Sequence, residues 1–373
     1  MPPRKNSTVF RHQPKGCSDS QDETASTPGL MRQLQNLVPA PDTTGHWVPR
    51  PAMTQLAGTP AAITGFVSCS MMVGNYWFGM VATGSGTDYP VCYNVATNSV
   101  VTITGALVGN TPNSPATSGT WTPPQMAVIG KYIIVCSAGF TTANNFGAIN
   151  IATITAPVWT MQTTATFALP STPVWVMQFF DRAYYVCNPV GGQPALVASD
   201  ALDPLTCTNA AYVLTFGDNV PIVAAAPLGL NNQVVGGQIQ SMIVFKQNLT
   251  LFQVTGDFTL TGTQAIQINA LNVATGTYAP NTITQTPYGL AFIAPDGLRS
   301  IGFQADVSPT LGLGGTGIDV PFISSTVPSR MNASCNANTI RITTINGSVN
   351  GSPTQEWCYD LTRKIWHGPQ RSS

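Results

Sequence analysis

Short apolar runs separated by turn residues recur along this chain, and the recurrences share one local form. The clearest pair lies at 241–303. Ser-Met-Ile-Val-Phe-Lys (241–246), the pair Gln247-Asn248 and Leu-Thr-Leu-Phe-Gln-Val-Thr-Gly (249–256) read as strand, tight turn and strand. Gly-Leu-Ala-Phe-Ile-Ala (289–294), Pro295-Asp296-Gly297 and Leu-Arg-Ser-Ile-Gly-Phe (298–303) repeat that order. Pro presets φ for the first central position of a turn and Gly tolerates positive φ, so the second triplet is a turn with a mechanism behind it. The flanking runs are β-branched and aromatic, as half-buried or buried strands are. A hairpin alone is not stable and needs further strands or a partner face.

Aligning by the turn supplies those strands. Ser-Met-Met-Val before Gly74-Asn75, Met-Ala-Val-Ile before Gly130-Lys131 and Val-Met-Gln-Phe-Phe before Asp181-Arg182 are earlier copies, and Ser-Cys before Asn336-Ala337-Asn338 is a later one. The six copies stand roughly 50 residues apart, a period at which internal repeats mean propeller blades of about four strands. Most copies carry a second hairpin. Val91 to Val95 turns through Thr97-Asn98 into Val100 to Ile103, and Ala148 to Ile151 turns into Val158 to Met161. Ala195 to Ala198 leads through Asp200 to Asp203 into Leu205 to Thr208, and Trp357 to Asp360 turns through Thr362-Arg363 into Ile365-Trp366. The expectation is an all-β fold, a six-bladed β-propeller over 59–373 with an extended N-terminal arm over 1–58. Closure would leave no exposed edges if Trp47 to Pro51 paired with the last blade, and Pro suits an edge strand.

Composition sharpens this picture. Charged residues are 8% of the chain, against about 25% in an ordinary globular protein. Between Pro51 and Ser329 the only basic side chains are Lys131, Arg182, Lys246 and Arg299. Soluble monomers usually keep apart by surface charge. Two accounts follow: neighbours cover much of the surface, or the protein is a secreted or virion β-protein whose neutral surface reflects β-propensity alone. The formal net charge of +0 gives no global attraction to nucleic acid or an acidic membrane, and the lack of a run of about 18 apolar residues excludes a transmembrane helix. The arm is basic at its start, through Arg4, Lys5, Arg11 and Lys15, but no apolar stretch follows to make a secretion signal. With little apolar area to offset ordering entropy, residues 1 to about 30 are expected to order only against a neighbour.

Candidate chemistry is sparse. The only glutamates are Glu23 and Glu356, and Asp181, Asp200, Asp203 and Asp296 fall in turns, where Asp stabilises local backbone. His12, His46 and His367 are the only histidines, with no pair at zinc-ligand spacing. Gly312-Leu313-Gly314-Gly315-Thr316-Gly317 matches a dinucleotide fingerprint, but Pro321 follows where a helix would have to open. Eight cysteines include no Cys-x-x-Cys. Cys136 and Cys187 each end a Tyr-containing apolar strand, so buried thiols rather than a disulfide framework are expected. The expectation is a non-enzyme without cofactor or metal.

Asn36-Leu37-Val38-Pro39 with Val48-Pro49-Arg50-Pro51, the Ser241 to Phe252 strand pair, Phe292-Ile293-Ala294-Pro295-Asp296-Gly297 and the Tyr359-Asp360-Leu361 to Trp366 ending together resemble the tail nozzle or hub proteins of short-tailed phages, relatives of the packaged-DNA stabilisation proteins. The resemblance runs from about Asn36 onward. It implies a propeller in a hexameric ring in the virion tail, assembled in the host cytoplasm. Its partners would be other copies, portal or adaptor proteins, tail fibre or spike proteins, and double-stranded DNA in transit, with no membrane. Within that reading Leu311, Gly312, Leu313, Gly314, Gly315, Thr316 and Gly317 are a candidate gate loop, and Arg4, Lys5, Arg11 and Lys15 a candidate docking arm. The alternative is a carbohydrate-binding tail adhesin or lectin propeller, with aromatics such as Trp121 or Trp159 stacking on sugars.

Overall fold

A computed structural model describes residues 16–17, 30–31, 37–39, 47–49, 66–82, 88–105, 124–140, 146–162, 169–208, 212–229, 241–256, 266–272, 275–309, 311, 328, 331–345 and 354–371. Six antiparallel sheets follow one another along the chain as the blades of a β-propeller. Blade 1 holds β5 (Phe66–Val73), β6 (Tyr76–Ala82), β7 (Asp88–Asn94) and β8 (Ser99–Val101). Blade 2 holds β9 (Gln125–Ile129), β10 (Tyr132–Cys136), β11 (Phe146–Asn150) and β12 (Val158–Gln162). Blade 3 holds β13 (Pro173–Phe179), β14 (Arg182–Cys187), β15 (Ala195–Ala198) and β16 (Val213–Thr215). Blade 4 holds β17 (Ile222–Leu228), β18 (Ser241–Lys246), β19 (Leu251–Gly256) and β20 (Ile266–Asn272). Blade 5 has β21 (Thr284–Thr286), β22 (Gly289–Ala294) and β23 (Gly297–Gly302), and blade 6 has β24 (Asn332–Asn336), β25 (Thr339–Ile345), β26 (Thr354–Asp360) and β27 (Ile365–Arg371).

In blades 2 to 5 the second strands are apolar with little alternation because these blades are buried on both faces, whereas β25 of blade 6 alternates, with Ile340 and Ile342 buried and Arg341 exposed. Successive side chains on a strand point to opposite sides, and in blades 2 to 5 both sides meet another sheet. Ile133 and Val135 join Phe78, Met80 and Cys92 of blade 1, whereas Ile134 and Cys136 join Tyr185 and Val197 of blade 3. Likewise Leu290, Phe292 and Ala294 face Phe245 of blade 4, while Ala291 and Ile293 face Ile340, Trp357 and Trp366 of blade 6. Phe245 and Phe292 meet edge to face, with centroids 5.3 Å apart. Trp159 lies in the blade 1 and blade 2 interface over Gly147, where a Cβ would be driven into the indole ring.

Several expectations about strand identity need correction. The tight turn joins first and second strands in blades 1, 2, 3 and 6, but second and third strands in blades 4 and 5. The turn chemistry is the same at either place, so alignment by turn found the right blades and shifted the strands of two of them by one. In blade 3 Phe179 pairs with Arg182, so the turn is Phe180-Asp181 rather than Asp181-Arg182. Phe180 holds φ at 51° there, a conformation costly for a bulky side chain. Its edge-to-face packing on Phe179, 4.7 Å between centroids, holds it in place. This one-residue offset makes Cys136 equivalent to Val186, and it turns Cys187 back toward the same interface as Cys136.

The outer strands also differ. The fourth strand of blade 3 is Val213–Thr215, not Leu205 to Thr208. Residues 200–208 instead form a compact turn. Asp203 accepts from the Leu205 amide at 3.1 Å and the Thr206 hydroxyl at 2.6 Å, and Asp200 accepts from the Thr208 hydroxyl at 2.8 Å. In blade 5 the outer position is filled by an irregular run beside β23, where Ser308 N–H donates to Ser300 O at 2.8 Å and Leu311 N–H to Leu298 O at 2.7 Å. At the N-terminus, β1 (Gly16–Cys17) pairs in parallel with β2 (Leu30–Met31), and β3 (Leu37–Pro39) pairs with β4 (Trp47–Pro49). All four strands of blade 6 come from the C-terminal stretch. The partner of Trp47–Pro49 is therefore β3 rather than the last blade, and β1 and β3 lie close to β27.

Overpacking at the buried Trp159 site generates a direct test. Gly147→Ala should destabilise the chain by about 1–3 kcal/mol, read as a lower urea midpoint at unchanged slope. An unchanged midpoint would show that the indole moves aside freely.

Candidate functional site

The first strands of the blades surround an axial cavity of about 330 Å³. Its wall draws on five blades: Met71 from blade 1, Gln125–Val128 from blade 2, Trp175–Gln178 from blade 3, Ala225–Pro227 from blade 4, and Ile283, Gln285 and Leu290 from blade 5. Among the described residues no ionisable side chain lines it. The wall is braced by polar side chains that reach from blade to blade. Trp175 Nε1 donates to Ala225 O at 2.8 Å, and Gln285 Nε2 donates to Pro227 O. Gln125 Nε2 donates to Asn281 Oδ1, a bridge between blades three apart in the ring and so on opposite sides of the axis. Asn188, just beyond β14, clamps the start of β17 with both ends of its amide, donating to Ile222 O at 2.8 Å and accepting from Ile222 N–H at 2.9 Å. None of these residues was picked out from the sequence. A Gln beginning a short strand was the signal available for Gln125, but nothing local marks which strand lines an axis.

Charge is handled inside the molecule. Lys246 is fully buried, paired with Asp218, with its ammonium 5.2 Å and 5.3 Å from the ring centroids of Phe216 and Phe252. Cation–π contact and an ion pair together offset the loss of water. Arg182 donates to Ser199 O at 2.7 Å and to the Tyr212 hydroxyl at 3.2 Å. Arg299 pairs with Asp296 and donates to Ser308 O at 2.8 Å, which pins the irregular edge of blade 5. Hydrogen bonding to Asp296 holds the Arg299 guanidinium above its usual pKa. Arg363 pairs with Asp360 at 3.2 Å and Arg341 with Glu356 at 3.7 Å.

The residues singled out from the sequence fare unequally. Of the candidate gate loop, Leu311 alone lies among the described residues. Its N–H is held by Leu298 and its carbonyl accepts from Trp366 Nε1 at 3.3 Å. Leu311 thus sits at the seam between blades 5 and 6, beside β23 and β27. Gly312 to Gly317 and the arm residues Arg4, Lys5, Arg11 and Lys15 lie outside the described residues, as does Trp121. Trp159, offered as a sugar platform, is 1% exposed and is a core residue. His367 is buried in β27. Among the described residues no three His, Cys, Asp or Glu side chains converge as metal ligands, and no helix is long and apolar enough to cross a membrane.

Cys92, Cys136, Cys187 and Cys207 are buried thiols, as expected for small core residues, while the thiols Cys69 and Cys335 are half-buried. Burial pushes the Cys92 thiol up to about 11. Burial likewise pushes Cys187 and Cys207 up to about 12, with Asp200 and Asp203 adding to the rise at Cys207.

No family model matches this sequence, and no curated protein matches it at a significant level. Solved structures do show likeness. A SapL1 lectin in complex with alpha methyl fucoside is 12% identical, with 78% of this chain and 91% of that chain covered and a TM-score of 0.40. AofleA from Arthrobotrys oligospora is 9% identical over 79% of this chain and 81% of that chain, with a TM-score of 0.41. Chaetomium thermophilum Raptor is 8% identical over 79% of this chain and 24% of that chain, at 0.42. The fold rests on the strand order and interfaces above.

The thiols give a pH test. A thiol whose folded pKa exceeds its ordinary value of 9.0 holds its proton more tightly in the native state. The resulting stabilisation is complete below pH 9 and is lost as pH rises through the folded values of about 11 and 12. Urea midpoints should fall from pH 9 upward. At pH 8 the native chain should leave Cys92, Cys136, Cys187 and Cys207 unlabelled by a thiol reagent that labels them in urea. Rapid native labelling of Cys136 or Cys187 would contradict the burial described.

Proposed function

We propose that the chain is a structural virion protein, a ring-forming propeller of a short-tailed phage tail that lines and closes the channel for double-stranded DNA below the portal and adaptor. The observation that carries this reading is the placement of charge. Arg182, Lys246, Arg299, Arg341 and Arg363 are all engaged with partners in their own chain. Among the described residues Lys131 and Lys364 are the exposed lysines; the sequence is otherwise rich in Thr, Asn, Gln and Ser, groups that meet a neighbouring copy by hydrogen bonding with little desolvation of charge. A wall of that chemistry also fits DNA in transit. Tight binding would need many cationic contacts with phosphate, and most of the cations among the described residues are paired within the chain. The Gln125–Asn281 bridge crosses the propeller's own axis, so in this reading the DNA path is the axis of the ring, formed between copies. The basic arm then serves docking on an upstream ring, and tail fibre or spike proteins attach outside. The chemistry is mechanical, with no bond made or broken by the side chains.

An adhesin or lectin is the competing class, and the burial of Trp159 removes one of its two proposed platforms. The two readings separate experimentally. Particles made without this protein should package DNA and then leak it or fail to eject it. Deleting Gly312 to Gly317 while keeping the anchored Leu311 should leave ring assembly intact and change genome retention. Assembly of the purified chain should persist between about 0.1 and 1 M salt, where exposed ion pairs would be screened. Fully infectious particles lacking the protein, together with glycan-array binding by the isolated chain, would overturn the proposal in favour of the adhesin.

A further inference from the structure

Among the described residues two tryptophans lie over a glycine, and only one of them is closed off by a neighbouring blade. Trp159 covers Gly147 inside the interface of blades 1 and 2 and is 1% exposed. Trp77 covers Gly79 in the same way, since a Cβ at Gly79 would be driven into its benzo ring, yet Trp77 is only half-buried. An indole held over a glycine is laid along the sheet, with its far side turned away from the strands. Strand parity sets where that side looks. Phe78, Met80 and Cys92 face blade 2, so Trp77 faces blade 6. Direct cross-strand pairing joins Trp77 to Met72 on one side and, through Tyr93, to Val100 on the other. Met72 is 52% exposed and Val100 42%, so an apolar row crossing all four strands of blade 1 is open to solvent at both ends.

The facing wall, on blade 6, is of another kind. Ile340 and Ile342 of β25 face blade 5, so Arg341 faces blade 1. Arg341 is the third residue after the turn that opens β25, and Trp77 the second after the turn that opens β6. The two therefore lie within about one residue rise, roughly 3.3 Å, of the same level. The Arg341 side chain is 48% exposed, and its Nε stands 3.7 Å from Glu356 Oε1, beyond hydrogen-bond length. A wholly apolar guest would cover this pair without replacing its water, and an ionised guest would meet a like charge. A sugar ring suits both walls. Its C–H face is apolar and stacks on an indole, while adjacent hydroxyls accept from a guanidinium and donate to a carboxylate.

We propose that the seam between blades 1 and 6 is a binding site for a neutral saccharide, which stacks on Trp77 and meets Arg341 and Glu356 with neighbouring hydroxyls. Met72 and Val100 form its apolar rim. The site goes beyond the ring assembly proposed above and does not depend on it. It is built within one chain and is read by sugar binding to that chain, whereas the ring is read in particles.

The test uses the purified full chain, titrated calorimetrically with the methyl pyranosides of glucose, galactose, mannose and N-acetylglucosamine. At least one should bind saturably and one-to-one. Cyclohexanol, a ring with a single hydroxyl, and adenosine, a flat base that stacks without a sugar's C–H face, should each bind more weakly than that sugar by roughly tenfold or more. Arg341→Gln removes the charged donors from an exposed position and should weaken sugar binding by roughly tenfold. Trp77→Ala removes the stacking surface and should abolish it. Arg341→Gln remains the deciding variant if Trp77→Ala does not fold, with circular dichroism as the check on folding. Absence of saturable binding by all the pyranosides, equal affinity for cyclohexanol or adenosine, or unchanged affinity in a folded variant would overturn the proposal.

Discussion

Blades 2 to 5 of this molecule must bury both of their faces, and the architecture follows from that requirement. A sheet with one apolar face can end at solvent, but a sheet whose second strand reads Tyr-Ile-Ile-Val-Cys (132–136) cannot. Odd positions pack on the blade before and even positions on the blade after. Stacking around an axis is the arrangement in which every sheet has a neighbour on each side. It brings the first strands together at the centre, and the free edges there are tied by Trp175, Gln285, Gln125 and Asn188 across blade boundaries. Apolar stacking thus sets the number and order of the blades, while a few amide bonds set their spacing at the axis.

The same economy governs charge. A buried ammonium such as Lys246 is tolerable because Asp218 and two phenyl faces replace its water. Arg182 and Arg299 use their fixed forks of donors to hold outer strands and turns that lack a regular ladder. Blade 5 shows the point most clearly. Its outer position is an irregular run, and Arg299 with the Ser300–Ser308 pair does the work of a fourth strand. Cations spent on such fastening are not available to grip phosphate or to repel a neighbouring copy. The surface chemistry of the proposed ring wall is in that sense a consequence of how the fold is fastened.

The six blades were legible in the sequence because the signal is physical and repeated: an apolar run, a turn that tolerates positive φ, and another apolar run. Strand identity was less legible, since a turn such as Gln247-Asn248 looks the same whether it joins first to second strands or second to third. The one-residue slip at Phe180 escaped for the related reason that an aromatic residue at φ 51° is held by Phe179, a contact the local sequence does not announce. Fourth strands were misplaced where side chains replace the ladder, as at Asp200 to Thr208. Trp159 reads as a stacking platform until Gly147 is seen to leave room for it inside. The axial residues were not legible at all. Gln125, Gln285 and Asn281 gain meaning only from strands that lie far apart in the chain.

The central claim is that this charge-poor propeller is a wall element, covered on its flanks by copies of itself. The most direct measurement is a cryo-electron microscopy reconstruction of the particle that contains the chain. The account predicts a closed ring of propellers around the DNA axis directly below the portal and adaptor, with the axis of each propeller plugged and the DNA path running between copies. Propellers found singly or in loose clusters at the particle periphery, with no contact between copies around that axis, would contradict it.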